Sequence, residues 1–275
     1  MTNDPKELKK IAKDARINIV QMLTKAGSGH TAGSLGIIEL LVALYFAVAR
    51  IDPKKPNDPD RDRIVLSAGH LCPALYSVLS LRGFFPQELL WSLRKLNSPL
   101  QGHPRRLSLP GVENSSGSLG QGISVAVGMA LAGRLDQKDC HIWCVSSDGE
   151  QDEGQVWETL MCANKYSLGN FTLIIDRNQI QIDGYTEEIL PLEPLAKKYQ
   201  SFGFNVEEVS GHSFYEIIDA LISAKKSERP SVIIAHTTAG KGVSFIENKF
   251  EWHGKAPNEK EAQKAIEELK KIPDV

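Results

Sequence analysis

An aspartate and an asparagine carry the first chemical signal in this sequence. The apolar run His141 to Ser147 ends in Asp148-Gly149-Glu150, and the run Phe171 to Arg177 ends in Asn178-Gln179-Ile180, so Asp148 and Asn178 stand thirty positions apart. That is the length of one strand–helix–strand crossover, roughly 30 residues, which returns the chain to the same edge of a sheet beside where it left. A carboxylate and an amide oxygen facing each other across neighbouring strand ends suit Mg2+, which takes octahedral oxygen ligands and is usually completed by phosphate and water. Gly149 would let the backbone approach such a phosphate. Taken singly, Asp148 also reads as a helix cap and Asn178 as a turn residue.

Histidines give the second signal. Of seven, His30, His70, His103 and His212 follow a glycine and His253 precedes one, whereas 22 glycines in 275 residues would place about one there by chance. Imidazoles presented on tight loops suit acid/base work or hydrogen bonding to a polyhydroxylated or phosphorylated ligand. They show neither an i, i+4 helical pair nor a Cys partner, which argues against a zinc cluster. His212, in Ser210-Gly211-His212-Ser213, reads as a strand-to-helix turn; His141 and His236, inside strand runs, read as structural. The segment Ser115 to Gly122 is a glycine-rich entry into an apolar helix, able to cradle a planar or anionic group. It has no Gly-Lys-Ser/Thr and follows no strand, unlike a phosphate loop or a dinucleotide fingerprint. Lys241, in Gly240-Lys241-Gly242, reads either as a phosphate ligand or as an ordinary exposed loop lysine.

These residues need a scaffold, and the hydrophobic periodicity predicts one. Strand runs at 141–147, 171–177, 204–209 and 231–237 alternate with helical patterns at 153–167, 192–201 and 213–226. The expected fold is α/β, a doubly wound mostly parallel sheet with helices on both faces and ligands at the carboxyl ends of its strands. In the first half, Asp4-Pro5-Lys6-Glu7 caps a helix that Gly27 ends. A second helix over 36–49, a short strand over 63–67, helices over 71–82 and 86–95, and a helix over 119–134 follow. The connection 96–118 is long enough without periodicity to read as a functional loop. A charged helix at 258–271 is expected at the periphery. No repeat or linker divides the chain, so residues 1–275 read as one domain.

Composition narrows the partners. Thirty-two Lys and Arg against thirty-four Asp and Glu, a formal charge of -2, leave no basic excess for nucleic acid. Hydrophobic residues at 41% and charged ones at 24% exclude general disorder. The longest apolar run, Leu35 to Ala49, contains Glu39 and falls short of the roughly 18 residues of a membrane span. A polar amino terminus without an apolar signal core points to the cytoplasm. Cys72, Cys140, Cys144 and Cys162 form no C-x-x-C pair, so neither disulfides nor a zinc site is indicated.

Together these segments resemble the transketolase family of thiamine diphosphate enzymes. The resemblance runs in order through Gly29-His30, Leu66-Ser67-Ala68-Gly69-His70, Gly102-His103-Pro104, Ser116 to Gly122, Ser147-Asp148-Gly149 through Asn178, and Trp252-His253-Gly254. It implies thiamine diphosphate and a divalent ion, Mg2+ or alternatively Ca2+ or Mn2+, held by Asp148, Asn178 and the Ile180 carbonyl. Gly149 and Glu150 are expected beside the cofactor as well. His70 and His253 would flank the diphosphate and the reacting carbon; His30 and His103 would bond the sugar's oxygens; Gly117 and Leu119 would line the aminopyrimidine. Glu153 and Glu158 match acidic positions near the subunit interface and the cofactor-activating network. Ser147 departs from the usual glycine, and Thr31 and Ser118 from common prolines. The sequence ends where a full-length member continues into a pyrimidine-binding domain, so the resemblance implies the N-terminal subunit of a split transketolase. Its partner would be a separate C-terminal subunit, its assembly α2β2, and its reaction transfer of a two-carbon ketol unit between sugar phosphates, as in the pentose phosphate pathway. The rivals are the α subunit of a 2-oxoacid dehydrogenase-type enzyme, which would keep the metal pair without explaining the histidines, and a non-catalytic scaffold, which needs neither.

Overall fold

A computed structural model describes residues 1–273; the last two residues of the expected 1–275 domain lie outside the described residues. Among the described residues seven strands form, β1 (Arg63–Leu66), β2 (Ile142–Ser147), β3 (Phe171–Arg177), β4 (Ile180–Gln181), β5 (Gly184–Tyr185), β6 (Asn205–Ser210) and β7 (Ser231–His236). Five of them make one sheet in the order β1-β2-β3-β7-β6, every neighbouring pair parallel, while β4 and β5 form a small antiparallel ribbon just after β3. β2 and β3 are buried along their whole length, as expected for strands covered on both faces.

Alternation along the strands feeds two cores. Trp143, Val145, Ile174, Ile233 and Ala235 point to one face, Ile142, Cys144, Leu173, Ile175, Val232 and Ile234 to the other. The first face is covered by α1 (Pro5–Ala26), α2 (Ala32–Gly36), α3 (Ile38–Val42), α4 (Cys72–Arg82), α9 (Phe214–Lys225) and α10 (Glu259–Lys270). The second is covered by α5 (Gln121–Leu135), α6 (Gly154–Lys165) and α8 (Leu195–Ser201), and the short α7 (Thr186–Ile189) follows the ribbon. The expected doubly wound α/β architecture is therefore present.

Differences from the expected elements have local causes. The helix expected over 36–49 is broken into α2, α3 and a π-helix, Ala43–Val48. Gly36 lies against the loop after β7, where a Cβ would come 2.9 Å from the Thr238 carbonyl oxygen, so tertiary packing sets the break. The helix expected over 86–95 is only a 3-10 turn, Gln87–Ser92, and Arg94 beyond it adopts a φ of 60°. Asp4 caps α1 by accepting from the Lys6 N–H at 3.0 Å, whereas the reciprocal capping box is found at Asn258 and Glu261 of α10. That charged helix buries Ala262, Ala265 and Leu269 toward α1. Among the described residues no helix is long and apolar enough to cross a membrane, and the four cysteines are free.

Candidate active site

Four loops deliver four imidazoles to one place. β1 leads through Ser67 and Ala68 into a 3-10 turn, Gly69–Leu71, that carries His70. A Cβ on Gly69 would lie 2.8 Å from Ser116 Oγ and 2.9 Å from the Gly117 nitrogen, so glycine alone lets this turn touch the glycine-rich loop. His30 sits between α1 and α2, His103 on the long connection before α5, and His253 at the end of the turn Phe250–Trp252. Ring centroids of His30 lie 5.3 Å from His70, 5.6 Å from His253 and 6.1 Å from His103, and His70 lies 5.1 Å from His253. Burial pushes the His30 imidazole down to about 4 and holds His70, His103 and His253 below the usual histidine range; neighbouring imidazoles push His30 and His70 the same way. At neutral pH each ring is then uncharged, with one N–H to donate and one nitrogen to accept.

Oxygen donors stand next to this cluster. The β2–β3 register pairs Ser147 with Asp176, and the Asp148 N–H donates to the Asp176 carbonyl at 3.1 Å, so Asp148 and Asn178 leave adjacent strand ends as the spacing required. Asp148 Oδ1 accepts from the Gly149 N–H at 2.8 Å; Oδ2 accepts from the Gln179 N–H at 2.6 Å and from Arg177 Nη1 at 3.0 Å. Asn178 donates to Asp176 Oδ2 at 2.7 Å, and its Oδ1 accepts from the Ile180 N–H at 3.1 Å. Asp148 Oδ1 and Asn178 Oδ1 each take one donor and keep a further acceptor position. Burial pushes the Asp148 carboxyl up to about 6 against the N–H groups and guanidinium that favour its charged form, and Asp176, which Thr237 also bonds, up to about 7. A buried carboxylate of this kind gains from a cation. Among the described residues no group of three or more His, Cys, Asp or Glu could hold a metal by itself.

The glycine-rich loop is fastened from below. Glu150, fully buried, accepts from Ser67 Oγ at 2.7 Å, the Gly120 N–H at 2.9 Å and the Ser147 N–H at 3.1 Å. Its carboxylate thus ties the ends of β1 and β2 to the residue preceding α5, and Gly120, at a φ of 77°, needs the glycine backbone. Ser147 is not among the positions of positive φ and keeps an ordinary strand backbone. The substitution for glycine is therefore unstrained. Ser116 Oγ and Asp152 Oδ1 are buried without a partner. Such orphaned oxygens beside a cleft fit the polar groups of a ligand such as thiamine diphosphate.

A cavity of about 340 Å³ joins these parts, lined by His30, His70, His103, His253, Gly117, Leu119, Ser147, Gly149, Glu153, Asn178 and Ile180. Asp148 stands just behind it through its bonds to Gly149 and Gln179. Glu150 and Glu158 do not line it: Glu150 braces the loop from beneath, and Glu158 is exposed on α6. Asp152, Gln181, Ile182 and Asp183 line it without having been singled out from sequence, and Arg177 and Asp176 reach it through Asp148 and Asn178. The available signal was a charged Asp176-Arg177 pair closing an otherwise apolar strand. His141, just before β2, bonds Thr172 of β3, and His236 of β7 bonds Glu208 of β6, while His212 lies between Glu39 and the Thr238 N–H. Lys241 is outside the cavity. A larger groove, about 620 Å³, runs between the start of α1 and α9 over Leu8, Phe214, Tyr215, Ile218 and Ile222; it is mainly apolar, and the convergent polar groups lie in the smaller cavity.

The family described as transketolase, thiamine diphosphate binding domain, matches residues 8–273. This chain belongs to the transketolase family. It is 45% identical over 260 residues to the 6-deoxy-6-sulfo-D-fructose transketolase subunit SqwG of a Clostridium species, covering 92% of this chain and 94% of that protein. Identity to one of the subunits of the apulose-4-phosphate transketolase of Actinobacillus succinogenes is 40% over 265 residues, 96% of each. The crystal structure of Campylobacter jejuni transketolase superposes with a TM-score of 0.91 at 35% identity, covering all of this chain and 44% of that one. The chain thus matches subunit-length transketolase relatives almost end to end and spans less than half of that longer transketolase. The expected transketolase resemblance, the fold and the transferase reading as an N-terminal, split-type subunit agree with these relatives.

Proposed function

We propose that this chain holds the diphosphate end of thiamine diphosphate in a two-subunit transketolase, and that the 275 residues act as one domain for that purpose. The observation that carries the reading is the convergence of four neutral imidazoles and Asn178 on one cavity at the strand ends, with Asp148 directly behind it on Gly149 and Gln179. Asp148, Asn178 and the Ile180 carbonyl hold the divalent ion, Mg2+ by the hardness of the donors, with Ca2+ or Mn2+ as substitutes. When bound, thiamine diphosphate supplies the carbanion-stabilising chemistry of ketol transfer. The chain's own residues do the positioning: Gly117 and Leu119 line the aminopyrimidine side, and Gly149 leaves room for the diphosphate. His70 and His253 stand beside the diphosphate and the reacting carbon, while His30 and His103 donate to and accept from sugar hydroxyls and move protons between them. Their neutrality at pH 7 gives each both roles.

A separate subunit with the pyrimidine-binding domain completes the site, in an α2β2 assembly and a cytoplasmic setting, and the substrates are a ketose phosphate donor and an aldose phosphate acceptor of the pentose phosphate type. Subunit-length relatives named as transketolase subunits support this division. Glu153, at the cavity edge, and Glu158, exposed on α6, are assigned to the side facing that partner. The test is ketol transfer from xylulose 5-phosphate to ribose 5-phosphate with thiamine diphosphate and Mg2+, using this chain alone and with its candidate partner. Turnover is expected only in the mixture, and His30→Ala or His103→Ala should lower it more than cofactor affinity. Turnover by the chain alone, or silence in an assembled complex across sugar phosphate donors, overturns the reading.

A further inference from the structure

Arg177 ends β3 one residue before Asn178, and its side chain is 3% exposed. Nη1 donates to Asp148 Oδ2 at 3.0 Å and to Thr186 Oγ1 at 2.7 Å; Nη2 donates to Glu187 Oε1 at 2.6 Å and to Glu193 Oε1 at 3.1 Å. One buried cation is therefore shared by three carboxylates. Asp148 is the buried member, while Glu187 and Glu193 lie at the rim with side chains 37% and 54% exposed. The rim pair is itself anchored, Glu187 accepting from the Leu192 N–H and Glu193 from the Leu195 N–H, so the guanidinium is held from both ends. A dication arriving at Asp148 Oδ1 meets a positive charge on the other oxygen of the same carboxylate, and where water is excluded that opposition is strong. Negative charge brought in with the ion relieves it.

We propose that Arg177 is a positioning residue that makes this site take a divalent cation together with a diphosphate rather than the bare cation. Arg177 holds Oδ2 and leaves the open acceptor position on Oδ1, which accepts from the Gly149 N–H at 2.8 Å. It also sets the charge at the site so that the ion is retained when a diphosphate balances it. The proposal rests on the cation site of the preceding reading and adds to it the residue that makes cation affinity depend on the diphosphate.

The test measures free Mn2+ by electron paramagnetic resonance in titrations of the full chain, with and without thiamine diphosphate, for wild type, Arg177→Met and Arg177→Lys. A role in stability alone predicts weaker binding under both conditions in Arg177→Met. The proposal predicts bare Mn2+ bound at least roughly ten-fold tighter by that variant, with binding in the presence of thiamine diphosphate changed by less than about three-fold; Arg177→Lys, which keeps the charge, stays near wild type. If Arg177→Met fails to fold by circular dichroism, Glu193→Gln carries the test: with one competing carboxylate neutralised, the guanidinium turns more fully to Asp148, and bare Mn2+ affinity falls about two-fold or more. Equal or weaker bare Mn2+ binding in folded Arg177→Met, or unchanged binding in Glu193→Gln, overturns the role of Arg177 and leaves the cation site standing. Failure of every form to bind Mn2+ even with thiamine diphosphate removes the cation site itself, and this proposal with it.

Discussion

Replacing Glu150 by alanine should loosen the glycine-rich loop without touching the cavity wall. In the folded chain its carboxylate satisfies Ser67 Oγ, the Gly120 N–H and the Ser147 N–H at 2.7 to 3.1 Å, with no exposure to water. The serine hydroxyl can rotate toward another acceptor, but the two backbone donors have no such freedom. Each buried donor left unpaired costs about 1–3 kcal/mol, and the missing side-chain volume adds to this. Burial of the carboxylate works the other way, raising its protonation range and reducing what the charge contributes. The balance is a loss of roughly 3–5 kcal/mol, or about 10 °C in melting temperature for a chain of this size. Thermal unfolding followed by circular dichroism measures it, and hydrogen exchange at Gly120 should accelerate. Glu150→Gln keeps the shape but turns an amide group toward a donor, and should lose about half as much. Ser67→Ala should cost less in the Glu150→Ala background than alone, because the shared bond is already gone. A Glu150→Ala melting temperature within about 2 °C of wild type would refute the brace.

Three further outcomes follow from the site. Because burial depresses the imidazoles, His30 to about 4, the unfolded chain binds more protons below the ordinary histidine value of about 6.5. Their contribution to stability is complete above that pH and is lost as pH falls toward 4. Asp148 and Asp176, raised to about 6 and about 7, act with the opposite sign, so the readout is the difference in urea midpoints between wild type and His30→Asn from pH 7.5 to 5. The wild type should lose its advantage as pH falls, and a constant difference contradicts the assignment. Removing the divalent ion with EDTA, or Asp148→Ala, should weaken thiamine diphosphate binding by at least about ten-fold in calorimetry, and unchanged affinity would count against the cation site. Ser147→Gly should leave cofactor affinity intact and cost only about 0.5–1 kcal/mol, since serine already fits an ordinary strand backbone there; a gain in chemical stability would show hidden strain.

Much of the site was legible because its chemistry lies at strand ends. Apolar runs such as 171–177 specify buried parallel strands whatever packs around them, and a crossover of fixed length forces Asp148 and Asn178 onto adjacent ends. Glycine-flanked histidines were equally readable, since a glycine beside an imidazole marks a tight turn. Helix 36–49 and helix 86–95 were not, because their ends depend on what they meet: the backbone at Thr238 in one case, a left-handed Arg94 in the other.

Local sequence alone determined the α/β class, the order of the five sheet strands along the chain and the pairing of the two strand-end oxygens, which follow from periodicity and fixed crossover length, and turn chemistry marked the glycine-flanked loop histidines. Tertiary structure alone decided that four of those imidazoles share one cavity and are uncharged, since burial and mutual distance are properties of packed segments far apart in the chain. It likewise turned Glu150 from an expected cofactor neighbour into a brace and brought Arg177 onto Asp148. A carboxylate or guanidinium carries no record in the chain of which donors and charges will surround it. Only the fold supplies those partners, and with them the sign of every interaction at the site.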